Sequence, residues 1–321
     1  MQLLENISLR DYNTFGIDVR CGRMVVLEPG DVVPHIDGPY LLLGAGSDMV
    51  FTKDYDGTVL RLADTADVTL ADDCAVTAWG GMTMDDFVAA TLQQGLYGLE
   101  NLSAIPGTVG AAAVQNVGAY GVEAKDVIDS VEAYDLKERR MCRLANSECG
   151  FAYRDSMFKQ CGGRYLILRV TFRLRRDYVP NLSYKALEGV PHSTAEEIRG
   201  AITDMRWQKL PRPEEHGSAG SFFKNPVVDE ATYRRLRGQY PDMPEAHRTN
   251  EGYKLSAGWI IDKAGWKGKT MGRAGVWPQN ARVLYNAGGC NGAEVMALAG
   301  SIQQDVAEKF GVHLSPEAII I

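Results

Sequence analysis

Residues 101–123, NLSAIPGTVGAAAVQNVGAYGVE, are the most unusual stretch of this 321-residue chain. Gly107, Gly110, Gly118 and Gly121 stand among alanines, with Pro106 at the head of the run. So many glycines beside a proline argue against a regular helix. Small residues allow a backbone to lie close against a flat cofactor, and Thr108, Gln115 and Asn116 can hydrogen-bond its polar edges. The other reading is a small-residue packing helix, which the spacing of Gly107, Gly110 and Ala111 would suit.

An earlier glycine loop bears on the choice. In YLLLGAGSDMV, residues 40–50, a strand runs into Gly44 and Gly46, but Met49 occupies the place where a dinucleotide-fold fingerprint needs its third glycine. What remains is a tight turn whose backbone N–H groups and Ser47 hydroxyl can approach a pyrophosphate. A plain connecting loop is the alternative.

Outward from these loops, short strands are expected at 40–43, 58–62, 75–79 and 166–174. The last alternates, with Leu168, Val170, Phe172 and Leu174 on one face and Arg169, Thr171 and Arg173 on the other. A helix begins at Thr83 as N-cap, carries Asp85 and Asp86 in its first turn, buries Phe87, Thr91 and Leu92, and stops at Gly95. After about residue 190 the pattern turns helical. Ser193 or Thr194 caps a run with Ile198, Ile202 and Met205 on one face, ended by Pro211. The final helix, roughly 292–310, aligns Val295, Leu298, Ile302, Val306 and Phe310 before Gly311. The pattern is α+β, in about two domains.

A formal charge of −7 and a pI near 5.4 argue against a nucleic-acid binder, which needs a concentrated basic face. Arg234, Arg235 and Arg237 read as a solvated helix face, although a few cations suffice to hold a small diphosphate ligand. The opening MQLLENISLRDYNTFG lacks the basic start and apolar run of an export signal, and no apolar stretch approaches the ~18 residues of a membrane span. A cytoplasmic protein without membrane contact is expected. The six cysteines form no C-x-x-C pair and the five histidines lack ligand spacing. Reduced thiols and no metal follow.

Seven ordered motifs give the chain a resemblance to one family. They are NTFGID (13–18), LGAGSDMVF (43–51), GLENLSAIPGTVGAAAVQNVGAYGVE (98–123), FAYRDSMFK (151–159), GSFFKNP (220–226), AGWIID (257–262) and LSPE (314–317). Together they resemble UDP-N-acetylenolpyruvoylglucosamine reductase, a flavoenzyme of peptidoglycan precursor synthesis, in the type with a tyrosine loop. The resemblance implies an FAD-binding domain of the p-cresol methylhydroxylase type followed by an α+β substrate-binding domain. Expected boundaries are 1–178 for the FAD domain, 179–200 for the tyrosine loop and connector, 201–311 for the substrate domain and 312–321 for a closing segment.

It also implies NADPH as hydride donor, non-covalent FAD, and UDP-N-acetylglucosamine enolpyruvate as substrate, handled by a monomer. Carried over residue by residue, FAD falls to Gly44, Ala45, Gly46, Ser47 and Asp48, and to Pro106, Gly107, Thr108, Gly110, Ala111, Gln115, Asn116, Gly118 and Gly121. Tyr120, Tyr184, Lys209, Asn225 and Gln279 fall to the substrate, with Asn280 competing for the last place. Ser221 is the implied proton donor. Arg154 can pair bidentately with a substrate carboxylate, and Glu317, if protonated, can donate to the charge that develops there. Asp48 and Ala111 depart from the family's usual Asn and Gly. Two competing readings are a flavin oxidase of the same superfamily and a catalytically silent nucleotide-sugar binder. The first often attaches its flavin to a histidine, and none lies in or near residues 43–51.

Overall fold

A central antiparallel strand, Tyr165–Arg173, organises the first half of the computed structural model, which describes residues 1–321 apart from Ala71 and Asp73. It lies third in a five-stranded sheet ordered Arg140–Ala145, Ile128–Asp135, Tyr165–Arg173, Ala75–Trp79, Val68–Leu70. The strand does not alternate as its sequence suggests. A register shift at Glu132/Ala133 leaves Leu168 as a bulge, so Val170 and Phe172 pack with Phe87 and Val131 while Leu168 packs with Leu166 and Trp79. One extra residue reverses the side-chain direction on either side of it.

Helix Met84–Gln93 covers one face of this sheet. Thr83 caps it by accepting the Asp86 N–H, and the Phe87 and Phe172 rings lie 4.8 Å apart. A second sheet runs Gln2–Ser8, Arg20–Leu27, Tyr55–Leu62, Tyr40–Leu42, its last pair parallel. Parallel pairing points the 40–42 strand straight into the Gly44 loop.

At the edge of the five-stranded sheet the Arg164 fork holds buried Asp135, lowering its carboxyl from 3.8 to about 2. A depressed folded-state value stabilises above the unfolded one and is lost as pH falls through the folded one. Asp135→Asn is therefore expected to flatten the acid limb of the stability profile between pH 3.8 and about 2, read by urea unfolding at stepped pH. An unchanged acid limb would deny the pair that role.

Helix Gly292–Phe310 buries Val295, Leu298, Ile302, Val306 and Phe310 as the spacing requires, between an Asn291/Glu294 capping box and left-handed Gly311. The basic cluster beside it is an exposed face, as expected, and two of its guanidinium groups also satisfy carbonyls. Arg235 donates to the Phe310 carbonyl at 2.6 Å and Arg237 to that of Met243, while Arg234 and Arg235 also pair along their own helix, with Glu230 and Gln239. Helix C-termini expose carbonyls that such guanidinium groups satisfy.

The chain forms two compact units, neither continuous in sequence. One comprises Met1–Ile7, Cys21–Ala45 and Asp56–Arg206, and the other Ser8–Arg20, Gly46–Tyr55 and Trp207–Ile321. The continuous division with breaks after 178, 200 and 311 differs from this. Ile198 and Ile202 are buried with Leu187, Leu182 and Tyr120, which holds helix Ala195–Lys209 to the first unit as far as Arg206. In the second unit, Ser218–Ser221, Val283–Asn286, Ala274–Val276 and Thr270–Met271 make one sheet, and Ile319–Ile320 pairs in parallel with Met49–Val50.

Candidate active site

In the first unit the two glycine loops meet. A Cβ on Gly44 would lie 3.1 Å from Thr108 Oγ1 and 3.2 Å from Ala111 Cβ, so only a glycine passes there without displacing its neighbours. The longer loop contains a helix after all, Val109–Gln115, capped by Thr108 and closed by Asn116 at φ 44°. Only Gly110 lies inside it. Its place is set by packing, because a Cβ would stand 3.1 Å from the Gly80 carbonyl and 3.2 Å from that of Ile167. Gly107 (φ 133°) precedes the helix and Gly118 and Gly121 follow it, which is why one glycine interior to the run does not prevent it.

Asn116 is wholly buried and turned inward. It donates to Ala152 O and Glu123 Oε2 and accepts from the Lys125 N–H, so its side chain braces the fold. Gln115 accepts from Lys159 Nζ at 2.6 Å, and the same ammonium donates to the Arg154 carbonyl at 3.0 Å. Lys159 thereby fastens the YRDS loop to the glycine helix. Arg154 sits at φ 56° and donates to the Gly118 carbonyl.

Beyond Gly118, the hairpin Gly118–Ala119/Val122–Glu123 presents Tyr120 at φ 48°. Its ring meets that of Tyr184 edge-on at 5.3 Å, bringing two expected substrate contacts together. Asn101 holds the arrangement by donating to the carbonyls of Tyr120 and Asn181. Burial raises the Tyr120 phenol and lowers the Arg206 guanidinium that faces it, and Arg206 donates to Ala104 O at 2.9 Å. Four left-handed non-glycine residues, Ala104, Asn116, Tyr120 and Arg154, belong to this constellation. Such backbone costs energy and persists where surrounding contacts fix it, often at functional sites.

In the second unit Ser221 ends its strand on an irregularity. Ser218 pairs with Tyr285 and Ser221 with Val283, which leaves one extra residue between them at Gly220, φ 64°. Bulges of this kind re-aim the next side chain. Glu317 is tied to the same strand, its N–H donating to the Phe222 carbonyl at 2.7 Å, with Lys224 N–H on Ser315 O just beyond. Arg282 Nη2 meets Glu317 Oε2 at 3.1 Å.

The GAGSD turn reaches this group through its main chain. Asp48 O accepts from Ile319 N, and Gly46 (φ 61°) is so close to Tyr12 and Asn13 that a Cβ would lie 2.7 Å from Asn13 Cα. Asn225 accepts from Ala257 N at the start of helix Ala257–Lys263. Lys209 and Gln279 are exposed, whereas Asn280 accepts from the Arg282 N–H and shapes the turn. Lys159, Arg206 and Arg282 escaped the sequence reading. Arg282 alone left a signal, as a charge between buried Ala281 and Val283.

Residues 212–321 match the family described as UDP-N-acetylenolpyruvoylglucosamine reductase, C-terminal domain, and residues 35–141 match an FAD binding domain. The reductase of Pseudomonas aeruginosa is 45% identical over 99% of this chain and 98% of its own length, and that of Burkholderia ambifaria 44% over 100% and 97%. The chain belongs to the UDP-N-acetylenolpyruvoylglucosamine reductase family.

A solved member of the family, from Thermus caldophilus, superposes with a TM-score of 0.70 at 25% identity, covering 100% of this chain and 99% of that one. The order of domains is the expected one, FAD-binding and then the family's C-terminal domain, on a mixed α/β fold. The residues present fit FAD. Gly44 keeps side chains out of the seam with Thr108 and Ala111, and Gly107 takes the left-handed conformation a tight backbone cradle uses. The chain is an FAD-dependent oxidoreductase of this family. Among the described residues no group of His, Cys, Asp or Glu could hold a metal ion, no disulfide forms, and no helix is long and apolar enough to cross a membrane.

Proposed function

We propose that this chain reduces the enolpyruvyl double bond of UDP-N-acetylglucosamine enolpyruvate to give UDP-N-acetylmuramate, with NADPH as reductant and FAD bound non-covalently, in peptidoglycan precursor synthesis. The observation that carries the reading is the hydrogen bond from Glu317 N–H to the Phe222 carbonyl, which fastens the carboxyl-bearing segment to the residue after Ser221. FAD supplies the hydride chemistry, which no side chain provides.

The remaining work belongs to side chains. Arg154 pairs with the substrate carboxylate and steadies the charge that develops on it, as a planar guanidinium suits. Glu317, with its carboxyl protonated, donates a hydrogen bond to the same charge. Ser221 Oγ gives its proton to the carbon next to the one that receives hydride, a step open to so weak an acid because that carbon is then strongly basic. Gly44, Ala45, Gly46, Ser47, Asp48, Pro106, Gly107, Thr108, Gly110, Ala111, Gln115, Gly118 and Gly121 line the flavin. Tyr120, Tyr184, Lys209, Asn225 and Gln279 hold the nucleotide sugar. The protein works as a monomer in the cytoplasm, without nucleic acid or membrane.

An anaerobic titration tests the reading. The purified protein should be yellow, bleach with NADPH, and regain its colour when the enolpyruvyl substrate is added. Colour returning only on admission of O₂ would favour an oxidase. A protein that retains no flavin would fit the silent binder.

A further inference from the structure

We propose that Arg282 is a positioning residue for this reduction, fixing the Glu317 carboxyl group relative to Ser221 by donating to its Oε2; the inference rests on the reading that Glu317 acts in the reaction. Three contacts join Arg282 to that strand and its neighbour. Its carbonyl accepts from the Phe222 N–H at 2.7 Å, its Nε donates to the Phe223 carbonyl at 3.3 Å, and its Nη2 meets Glu317 Oε2 at 3.1 Å. Glu317 is itself bonded to Phe222 through its N–H. Both ends of the pair are therefore anchored to the two residues that follow Ser221.

That anchor is firm. Phe222 and Phe223 are both 0% exposed and their rings pack edge-on, centroids 4.9 Å apart. Asn280 fixes the other side by accepting the Arg282 N–H. The Arg282 and Glu317 side chains are only 25% and 20% exposed, so the pair is shielded from the solvent that makes surface pairs weak. Only a guanidinium can aim Nε at one carbonyl and Nη2 at a carboxyl oxygen at once, because its donors lie in a rigid fork while an ammonium offers a single point. A carboxyl group loose by even an ångström loses much of its value to a reaction, on the order of 10²-fold in rate.

The test uses the full-length, FAD-loaded protein in anaerobic stopped flow, comparing R282Q, R282K, E317Q and the double variant R282Q/E317Q. R282Q should keep its flavin absorbance and bleach with NADPH at the parent rate. Its reoxidation by saturating substrate should slow about 10- to 100-fold, a defect of rate and not of KM. The double variant should be no slower than E317Q, since a residue acting through Glu317 has nothing further to lose. R282K should recover part of the rate, and it serves in place of R282Q if that variant does not fold. Parent-rate reoxidation in R282Q with a slow E317Q overturns the proposal, as do losses that multiply in the double variant. Parent-rate reoxidation in E317Q would remove the role of Glu317 itself, and that of Arg282 with it.

Discussion

Ser221→Ala is expected to leave reduction of the bound flavin by NADPH intact and to slow its reoxidation by substrate roughly 10²- to 10⁴-fold, the usual loss when a general acid is removed. The split between the two half-reactions is what makes the result diagnostic. Hydride arrival from NADPH requires no proton from Ser221, whereas completing the saturated product does. The fold should tolerate the change, because Ser221 is half-buried and its strand is held by main-chain bonds at Ser218, Phe222 and Lys224. Loss of flavin with turnover retained would show that the serine belongs to the cofactor site instead.

Gly46→Val should act at an earlier stage, giving little folded protein and none that is yellow. The site has no room. A Cβ would overlap the Tyr12 carbonyl and lie 2.7 Å from Asn13 Cα, both backbone atoms, at a φ of 61° that a β-branched residue scarcely adopts. Overpacking and left-handed strain add to about 2–5 kcal/mol, a large share of a typical domain's stability. Gly44→Ala makes the control. Its new methyl would meet Thr108 Oγ1 and Ala111 Cβ, side-chain atoms able to give by a few tenths of an ångström, so it should fold and bind flavin more weakly. Thermal unfolding with and without added FAD separates the two, and a Gly46→Val protein that melts like the parent would refute the steric account.

Elements governed by local periodicity were legible in the sequence. Helix Gly292–Phe310 buries its five-residue stripe and stops at Gly311, and Thr83 and Gly95 bracket helix Met84–Gln93. Local pattern misled where a distant partner decides. No residue near Leu168 announces the bulge, which arises from pairing with Glu132 and Ala133 some 35 positions away, a register only tertiary packing selects. The glycine run misled in a related way. Counting glycines argued against a helix, yet three of the four fall outside Val109–Gln115 and the fourth packs against Gly80.

The candidate site divides along the same line. Ser221, Arg154 and Glu317 were found through the motifs around them, for a serine, an arginine or a glutamate has no periodic signature. Their supports had none either. Lys159 reaches Gln115 across 44 positions and Arg282 reaches Glu317 across 35, contacts that exist only once the chain has folded. Asn116 shows a structural role that the sequence did not signal. Its amide bonds Ala152, Glu123 and Lys125, partners 7 to 36 positions away that only the fold brings to it.

The second unit draws on Ser8–Arg20 and Gly46–Tyr55 as well as Trp207–Ile321. On a ribosome the two early pieces emerge while roughly 150 residues of intervening chain remain to be made, a wait of about 10–30 s at ordinary synthesis rates. Throughout it Phe15, Ile17, Val50 and Phe51, all buried in the finished protein, have no native partners from the later segment to cover them. Exposed apolar segments of that kind invite aggregation and chaperone capture. This half of the molecule should therefore be the slow step of maturation and the part whose yield falls first when protein is made faster than it can be folded.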